Sequence, residues 1–342
     1  MKLKSMAAKN KLHHHQYSAK KVETLEGYPE IKGIDFEKKQ DLKNLLDSFL
    51  LTGFQATNLG KAIDTVKQMR KYKATIFLGF SSNLISSGIR DIITFLVKHK
   101  FVDVVVTSAG GIEEDVIKSL KPFVIGDFNV PGKLLFEKGI NRIGNIFVPN
   151  DRYLYFEKFI TPFLDKIYNL QKKQNKAVNV TEMLRLLGDE INKEDSYLYH
   201  AAKNNIPVFC PGITDGSFGD MIFFQKQRTP DFQLDITKDM ADIVKIALNA
   251  EKTGAIILGG GIAKHFILNA NIFREGLEYA VYISTAQEYD GSDSGAKPDE
   301  AITWGKIKPD ANAVKVHGDA TIIFPLVVAA TFAEEFHKKQ KT

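Results

Sequence analysis

The residues best suited to chemistry lie in one stretch, Gln287–Ile307, which reads QEYDGSDSGAKPDEAITWGKI. Several carboxylates are followed there by Trp304, the only tryptophan of the chain, and by Lys306. The face of an aromatic ring attracts an organic cation, and carboxylates pair with its charge. A lysine acts as a nucleophile when its amine is neutral. The stretch suits a small organic cation, and a lysine within it could act as a nucleophile; on composition alone, a solvated loop with a surface lysine is by far the more common case.

The same stretch is predicted to be a loop. Gly291, Gly295 and Pro298 interrupt any regular element within it. Its carboxylates include Asp290, Asp293, Asp299 and Glu300. Charges on a loop are useful only where a rigid scaffold positions them, so the rest of the chain must supply that scaffold.

One unit recurs along the chain: a short apolar run, a turn of small residues and a helix-like segment. The apolar runs are Lys73–Phe80, Val102–Thr107, Ile206–Cys210, Gly254–Leu258, Tyr279–Ser284 and Ala313–His317. This unit is typical of a parallel sheet covered by helices. We therefore predict an α/β fold with a Rossmann-like, open and mostly parallel sheet that has helices on both faces.

Apolar residues at helical spacing predict two helices, Asp35–Leu51 and Ala56–Lys71, as an N-terminal helical extension. Further elements are predicted as helices at Leu84–Lys98, Ile112–Leu120, Tyr153–Leu170, Val180–Ile191, Ala263–Ile272 and Ile322–Phe332, and as a strand at Ile143–Pro149. Residues 1–30 are interpreted as a variable arm, and residues 31–342 as a single domain.

The small-residue turns would lie at the carboxyl edge of the sheet, where open α/β sheets bind ligands. Backbone amides at the helix N-termini there can hold phosphate, so a dinucleotide is a natural ligand. The motif G-x-G-x-x-G is absent, and the glycines Gly259–Gly261 are only suggestive. Close packing of a strand against a helix would explain them equally well.

Other candidate residues have simple structural explanations. Glu113 and Glu114 follow a small-residue turn, where acids at a helix start are favoured by the helix dipole. Asp215 and Asp220 lie in a glycine-rich turn, where aspartate often bonds to its own backbone. His265 lies four residues after the triple glycine, and a lone histidine is more often structural than catalytic.

The composition is that of an ordinary soluble globular protein, with 342 residues, 44% hydrophobic and 25% charged. No apolar run reaches the length of a membrane helix, and no signal peptide is evident, so no membrane association is predicted. A net charge of +5 without an aromatic-interleaved basic patch does not favour nucleic acid. The single cysteine, Cys210, fits a reducing compartment, and a cytoplasmic location is expected.

Long segments of the chain, in the same order, resemble the deoxyhypusine synthase family. The matching segments are SSNLISSGIRD, VVVTSAGGIEED, IPVFCPGITDGSFGDM, ILGGGIAKHFILNAN, YAVYISTAQEYDGSDSGAKPDEAITWGKI and VHGDATIIFPL. The resemblance extends from about Thr57 to Phe332. It implies an NAD-dependent enzyme that transfers the aminobutyl group of spermidine to one lysine of the translation initiation factor 5A precursor.

The resemblance also implies the residues of the site. NAD would be bound by Ser82, Asn83, Leu84, Ile85, Ser86, Ser108, Ala109, Gly110, Glu114, Asp215, Gly260, Thr285, Ala286, Asp319 and Ala320. The polyamine would be bound by Glu113, Glu114, Asp220, His265, Gly291, Ser292, Asp293, Glu300, Trp304 and Lys306. His265 would be the acid/base residue and Lys306 the nucleophile, and no metal is implied.

The implied reaction begins with hydride removal from spermidine, which produces an imine that Lys306 attacks. The aminobutyl group then passes from Lys306 to the acceptor lysine, and the hydride is returned. The resemblance further implies a homotetramer with active sites at the dimer interface. Lys306, Glu114, Asp220 and Glu300 are expected around one narrow channel.

Three alternatives stay open. Homospermidine synthase resembles this family and shares the first steps, but its acceptor is putrescine. A regulatory, catalytically inactive subunit of a heteromeric deoxyhypusine synthase would tend to have lost the site residues, which are present here. A nucleotide-binding protein without catalysis would not need the acidic loop.

Overall fold

The computed structural model describes residues 25–340, so most of the predicted N-terminal arm lies outside the described residues. The strands are β1 (Thr75–Phe80), β2 (Val104–Val106), β3 (Val124–Ile125), β4 (Ile140–Ile143), β5 (Ile146–Pro149), β6 (Val178–Asn179), β7 (Val208–Phe209), β8 (Leu234–Asp235), β9 (Thr253–Leu258), β10 (Leu277–Ser284) and β11 (Ile307–His317). The helices are α1 (Leu42–Thr52), α2 (Phe54–Lys71), α3 (Asn83–Ser86), α4 (Ile89–Lys98), α5 (Ala109–Leu120), α6 (Gly132–Glu137), α7 (Asp151–Gln174), α8 (Val180–Ile191), α9 (Tyr197–Asn204), α10 (Ser217–Arg228), α11 (Ile236–Asn249), α12 (Gly261–Ile272), α13 (Pro298–Thr303), α14 (Ala320–Val328) and α15 (Glu334–Lys339).

The main sheet has six strands in the order β7-β2-β1-β9-β10-β11, and every neighbouring pair is parallel. Along the chain, the sheet begins with β1 and extends through β2 to β7 at one edge. The last three strands, β9, β10 and β11, are then added on the other side of β1. This is the strand order of a Rossmann fold, with its switch in direction between β1 and β9. The predicted α/β fold is confirmed.

Both faces of this sheet are buried. In β1, Ile76 and Leu78 belong to one apolar cluster and Phe77 to the cluster on the opposite face. A strand covered on both sides needs apolar side chains at every position, not at alternate positions. This explains why the strands were recognisable in the sequence as continuous apolar runs.

Two smaller sheets lie apart from the main one. Strands β3, β5 and β4 form an antiparallel sheet, and β6 pairs in parallel with β8. The predicted single strand Ile143–Pro149 is wrong in detail, because Gly144 has a positive φ of 58° and turns the chain between β4 and β5. A tight turn with positive φ is the role that glycine fills best.

The N-terminal helical extension consists of α1 and α2. The predicted start of the first helix at Asp35 is too early, because α1 begins at Leu42. Asp41 is its N-cap, and its carboxylate accepts a hydrogen bond of 2.8 Å from the Asn44 amide. Phe36, whose apolar side chain suggested an earlier start, is 77% exposed.

The stretch Gln287–Ile307 is not wholly a loop. It holds a short 3₁₀ turn at Glu288–Asp290 and the helix α13, which begins at Pro298. Proline was interpreted as an interruption, but at the first position of a helix its missing N–H costs nothing and its fixed φ suits the helix. We call residues 287–303 the acidic loop.

The C-terminal helical run Ala320–Lys339 joins α14 and α15 through a π-helical segment, Ala329–Ala333. By length and composition its 20 residues could cross a membrane, contrary to the expectation from the sequence. Core helices pass the same test. Phe324, Val327 and Phe332 pack into the main core, so the packing favours a core helix.

Candidate active site

Lys306 lies beside a histidine. Its Nζ is 3.3 Å from Nε2 of His265, and His265 Nδ1 is 3.0 Å from Nδ2 of Asn269. His265 and Asn269 are four residues apart on α12 and therefore share one face of that helix. The Asn269 side chain orients the imidazole ring, and its Nε2 faces the Lys306 amine. When Nε2 carries no proton, it can accept one from the Lys306 ammonium.

The backbone fixes where Lys306 stands. Its amide donates to the Ala301 carbonyl at 3.0 Å, and its carbonyl accepts from the Leu277 amide at 3.0 Å. Gly305 has a positive φ of 66° and turns the chain from α13 into β11. That turn places Trp304 and Lys306 side by side, with Nζ 5.8 Å from the centre of the indole ring.

These residues line a cleft of about 420 Å³. Its walls are formed by α12, the acidic loop and the start of β11. The lining residues are Lys264, His265, Leu268, Asn269, Ile272, Gly291, Asp293, Ala296, Lys297, Glu300, Ala301, Trp304 and Lys306. Trp304 is 67% exposed, so its ring is open to a ligand. We call this space the Lys306 cleft.

The acidic loop divides its carboxylates between two sides. Asp293 and Glu300 line the Lys306 cleft, whereas Glu288 and Asp299 line a neighbouring cleft beside Lys315. Within the described residues, Oδ2 of Asp293 is buried and has no hydrogen-bond partner. A buried carboxylate oxygen without a donor is unfavourable.

A second group of acids lies on α5, on α10 and in the turn before α10. Glu113 Oε2 accepts a hydrogen bond of 2.8 Å from the Phe218 amide at the start of α10. Burial raises the pKa of Glu113, and the nearby Asp220 and Asp215 raise it further. Glu114 accepts a hydrogen bond from the Ser86 hydroxyl. We call Glu113, Glu114, Asp215 and Asp220 the α5 cluster.

Burial raises the pKa of Glu114 to about 7, with Glu113 adding to the effect and the Ser86 hydroxyl opposing it. Desolvation penalises the charged carboxylate more than its hydrogen bond favours it. Near neutral pH this side chain therefore exchanges its proton readily. The interpretation of Glu113 and Glu114 as first-turn acids is wrong, because α5 begins at Ala109 and places both in its second turn.

The residues expected to bind NAD follow the carboxyl ends of the six main strands. The turn Ser82–Ser86 comes directly after β1, and Ser108–Gly110 after β2. These two turns touch, since a side chain at Gly110 would meet the Ser82 Cβ at 2.7 Å. Asp319 caps α14, where its carboxylate accepts from the Thr321 amide at 2.7 Å.

The triple glycine lies at the switch between β1 and β9. A side chain at Gly259 would meet the Ser81 hydroxyl at 2.5 Å, and one at Gly260 would meet the Ser294 backbone at 2.4 Å. The glycines thus allow the β1 turn, the β9 turn and the acidic loop to approach closely. Gly259 and Gly260 therefore serve close packing, and the residues around the switch point are small.

The structure divides the predicted site residues into two groups. His265, Gly291, Asp293, Glu300, Trp304 and Lys306 line the Lys306 cleft, and the α5 cluster is not part of that lining. The one channel expected around Lys306, Glu114, Asp220 and Glu300 is therefore not formed by the described part of a single chain. Ser292 lies in the acidic loop and is exposed.

Comparison with known proteins identifies the family. A model of the deoxyhypusine synthase family matches residues 44–331. The chain belongs to the deoxyhypusine synthase family. A deoxyhypusine synthase of Musa acuminata is 52% identical over 340 residues, covering 91% of this chain and 90% of the relative. The family assignment confirms the prediction of a transferase with deoxyhypusine synthase activity.

Two further relatives provide information on the fold of this chain and on the acceptor of the aminobutyl group. A crystal structure from Entamoeba histolytica, described as a candidate deoxyhypusine synthase, matches with a TM-score of 0.61 and 31% identity, over 89% of this chain and 97% of that one. Homospermidine synthase 2 of Senecio vernalis is 50% identical over 349 residues, covering 94% of each chain. Deoxyhypusine synthases and a homospermidine synthase are thus similarly related to this chain.

Sequence reasoning missed several buried charges around this deoxyhypusine synthase site. Lys264 is 2% exposed, and its Nζ lies 4.6 Å from the centre of the Tyr282 ring. Lys118 donates to the carbonyls of Ile85, Ser86 and Ser87 at 2.8, 3.0 and 2.8 Å, which caps α3. In the sequence, the only sign of these two charges is a lysine within an otherwise apolar helical pattern. Among residues 25–340, no group of three or more His, Cys, Asp or Glu is placed to hold a metal.

Proposed function

We propose that this deoxyhypusine synthase transfers the aminobutyl group of spermidine to a lysine of the translation initiation factor 5A precursor, with NAD as cofactor and Lys306 as the covalent carrier. The observation that carries the proposal is the pair Lys306–His265, with 3.3 Å between the two nitrogens, in a cleft with an indole ring and an unpaired carboxylate oxygen. This arrangement suits a reaction between an amine nucleophile and a cationic substrate.

Spermidine is an elongated trication, so its binding needs carboxylates spaced along a channel. Asp293 and Glu300 would bind the portion of spermidine nearest to Lys306. Their negative charge would attract the substrate ammonium groups. Trp304 would offer its ring face to the same cation.

The residues at the carboxyl edge of the sheet fit a dinucleotide. The switch point between β1 and β9 is lined by Ser81, Ser82 and the triple glycine, and a Cβ at Gly261 would meet nothing within 4 Å, so space remains there. The turn Ser82–Ser86, the turn Ser108–Gly110 and Gly260 would hold NAD, with Thr285, Ala286, Asp319 and Ala320 at the β10 and β11 ends, and Glu114 and Asp215 at the β2 and β7 ends. When bound, NAD would accept a hydride from the carbon beside the secondary amine of spermidine and later return it.

The side chains of this chain perform the remaining steps. Lys306 attacks the electrophilic carbon, and 1,3-diaminopropane leaves with the electrons of the broken C–N bond. The aminobutyl group is then joined to Lys306 as an imine. The acceptor lysine displaces Lys306, and the new imine is reduced to an amine, so no net oxidation occurs. His265, in contact with Nζ, would take the proton that Lys306 must lose before each attack.

The division into two residue groups supports an assembly in which a second chain completes the site. We propose a homotetramer in which the Lys306 cleft faces the α5 cluster of a partner across a dimer interface. That arrangement would place Glu113, Glu114 and Asp220 along the same polyamine channel as Glu300. The single buried cysteine, Cys210, suits the proposed cytoplasmic location.

The test uses spermidine labelled in its butyl moiety. The native chain with NAD should incorporate label into Lys306, and should pass it to the acceptor protein when that protein is added. Lys306→Ala should lose both signals. Lys308→Ala is the matched control, because Lys308 is two residues away but pairs with Glu278 at 2.7 Å. Full labelling of the acceptor by Lys306→Ala would overturn the proposed carrier role.

A second candidate is homospermidine synthase, because the Senecio vernalis enzyme of that name is 50% identical to this chain. The same experiment distinguishes the two acceptors. Label that passes to added putrescine but not to the protein acceptor would establish homospermidine synthase activity. The absence of any labelling would indicate a regulatory subunit that needs a partner chain.

A further inference from the structure

We propose that Lys264 and Lys315 are positioning residues that hold the acidic loop by its backbone carbonyls and leave its carboxylates free to bind the polyamine. The proposal rests on the proposed function, since it concerns how the same cleft is shaped for its substrate. Neither lysine would react with substrate. Together we call them the lysine clamp.

Lys264 holds the cleft side of the loop. Its Nζ donates to the carbonyls of Asp293 and of Ala296, the latter at 3.2 Å. The side chain is almost fully buried beneath the loop and lies against the ring of Tyr282. Asp293 is thus held by its main chain, while its side chain keeps an oxygen without a partner.

Lys315 holds the opposite side. It stands on β11, and its Nζ donates to the carbonyls of Ala286, at 2.8 Å, and of Gly295. The two lysines therefore bind carbonyls at both ends of the segment that carries Asp293. Ala286 also belongs to the proposed NAD site, so Lys315 connects the loop to the cofactor edge.

The choice of carbonyls as partners has a chemical consequence. A buried ammonium must be paired with an oxygen atom, and a carboxylate would be its strongest partner. Had these lysines formed ion pairs with Asp293 or Glu300, the cleft would have lost its attraction for a cation. By bonding to neutral carbonyls, the clamp orders the loop without occupying the carboxylate oxygens of Asp293 and Glu300, although the charge of Lys264 still attracts both.

Electrostatics agree with this geometry. Burial lowers the pKa of Lys264, opposed by Asp293, while Lys315 and Lys306 lower it further. Burial likewise lowers the pKa of Lys315. Keeping two such cations next to a third lysine is unfavourable unless the bonds to the loop compensate for it.

The test compares Lys264→Met with Lys308→Met in the NAD-loaded enzyme, with spermidine binding followed by Trp304 emission. Trp304 is the only tryptophan of the chain and lines the cleft, so its emission reports the loop directly. Lys264→Met should weaken spermidine binding by about tenfold or more and change the Trp304 emission of the free enzyme. NAD binding should be unaffected, and Lys308→Met should match the native chain.

Lys315→Met is the second variant, because Lys315 is only half-buried and its loss should leave the fold intact. It should weaken both spermidine and NAD binding, because it holds Ala286. Native affinity for spermidine and native Trp304 emission in either variant would overturn the clamp. Failure of the native chain itself to bind spermidine would instead count against the proposed function.

Discussion

Helix α5 and the acidic loop both carry carboxylates near the carboxyl edge of the sheet, but they are built differently. The acids of α5 are buried within packed helices, and each has its own partner. The acids of the loop are more exposed, and the loop is held through its main chain. The first region is rigid because its side chains are fixed, and the second keeps its side chains available.

Three successive acids on α5 illustrate the rigid design. Neighbouring residues on a helix point about 100° apart, so Glu113, Glu114 and Asp115 face three different neighbours. Glu113 accepts from Phe218, Glu114 from Ser86, and Asp115 pairs with Arg90 at 2.7 Å. The helix thereby fixes α3, α4 and α10 relative to one another.

The comparison suggests a division of labour. Buried, partnered carboxylates determine where the main-chain turns of the cofactor edge lie. Exposed or unpartnered carboxylates determine what the cleft attracts. Substitutions of the α5 acids should therefore affect stability and its pH dependence in addition to ligand binding, and substitutions in the loop mainly ligand affinity.

The largest effect is expected at the buried ion pair. Asp115 is fully buried and Arg90 is 3% exposed, so Asp115→Ala removes the closer carboxylate partner of the buried guanidinium and leaves it with Asp195 at 3.1 Å. We expect a loss of about 3–5 kcal/mol in the free energy of unfolding. Urea unfolding at a fixed protein concentration measures it. The exposed loop variant Asp299→Ala is the control and should change stability by less than about 0.5 kcal/mol; equal losses would remove the distinction between the two regions.

The pH dependence of stability at Glu114 gives a second test of the comparison between α5 and the acidic loop. Its pKa rises from 4.5 in the unfolded chain to about 7 in the folded one, mainly through burial. Folding therefore favours the protonated form, so native stability is highest below pH 4.5 on this account and falls as pH rises through about 7. Glu114→Gln should remove this dependence and raise stability above pH 8 by on the order of 3 kcal/mol. Parallel stability–pH curves for the two proteins would contradict the assignment.

The same division explains what the sequence could predict. The apolar runs of β1 and β9 are recognisable because both of their faces are buried, and α8 matches its predicted bounds, Val180–Ile191. Asn192, with a φ of 45°, ends that helix in the left-handed conformation that asparagine tolerates. Elements bounded by such local signals are accessible to sequence reasoning.

The lysine clamp was not accessible in this way. Lys264 bonds to residues 29 and 32 positions away, and nothing near it in the sequence distinguishes it from an exposed lysine. The family resemblance predicted that His265 and Lys306 belong to the site. Their contact and the unpaired oxygen of Asp293 became visible only in the folded structure. Tertiary contacts between distant segments determine these features, so local patterns do not contain them.

The smallest effect is expected at Trp304. The indole is largely exposed and lies at the mouth of the Lys306 cleft, so its attraction for a cation is weakened by water. A cation–π contact at an exposed site contributes about 0.5–1 kcal/mol, and Trp304→Leu should therefore weaken spermidine binding by only about two- to fivefold. Calorimetric titration of the NAD-loaded enzyme measures this without the fluorophore. An unchanged affinity would show that the ring does not contact spermidine. A loss of a hundredfold or more would mean that a partner chain encloses the ring, and that the acidic loop is as rigid in the assembly as α5.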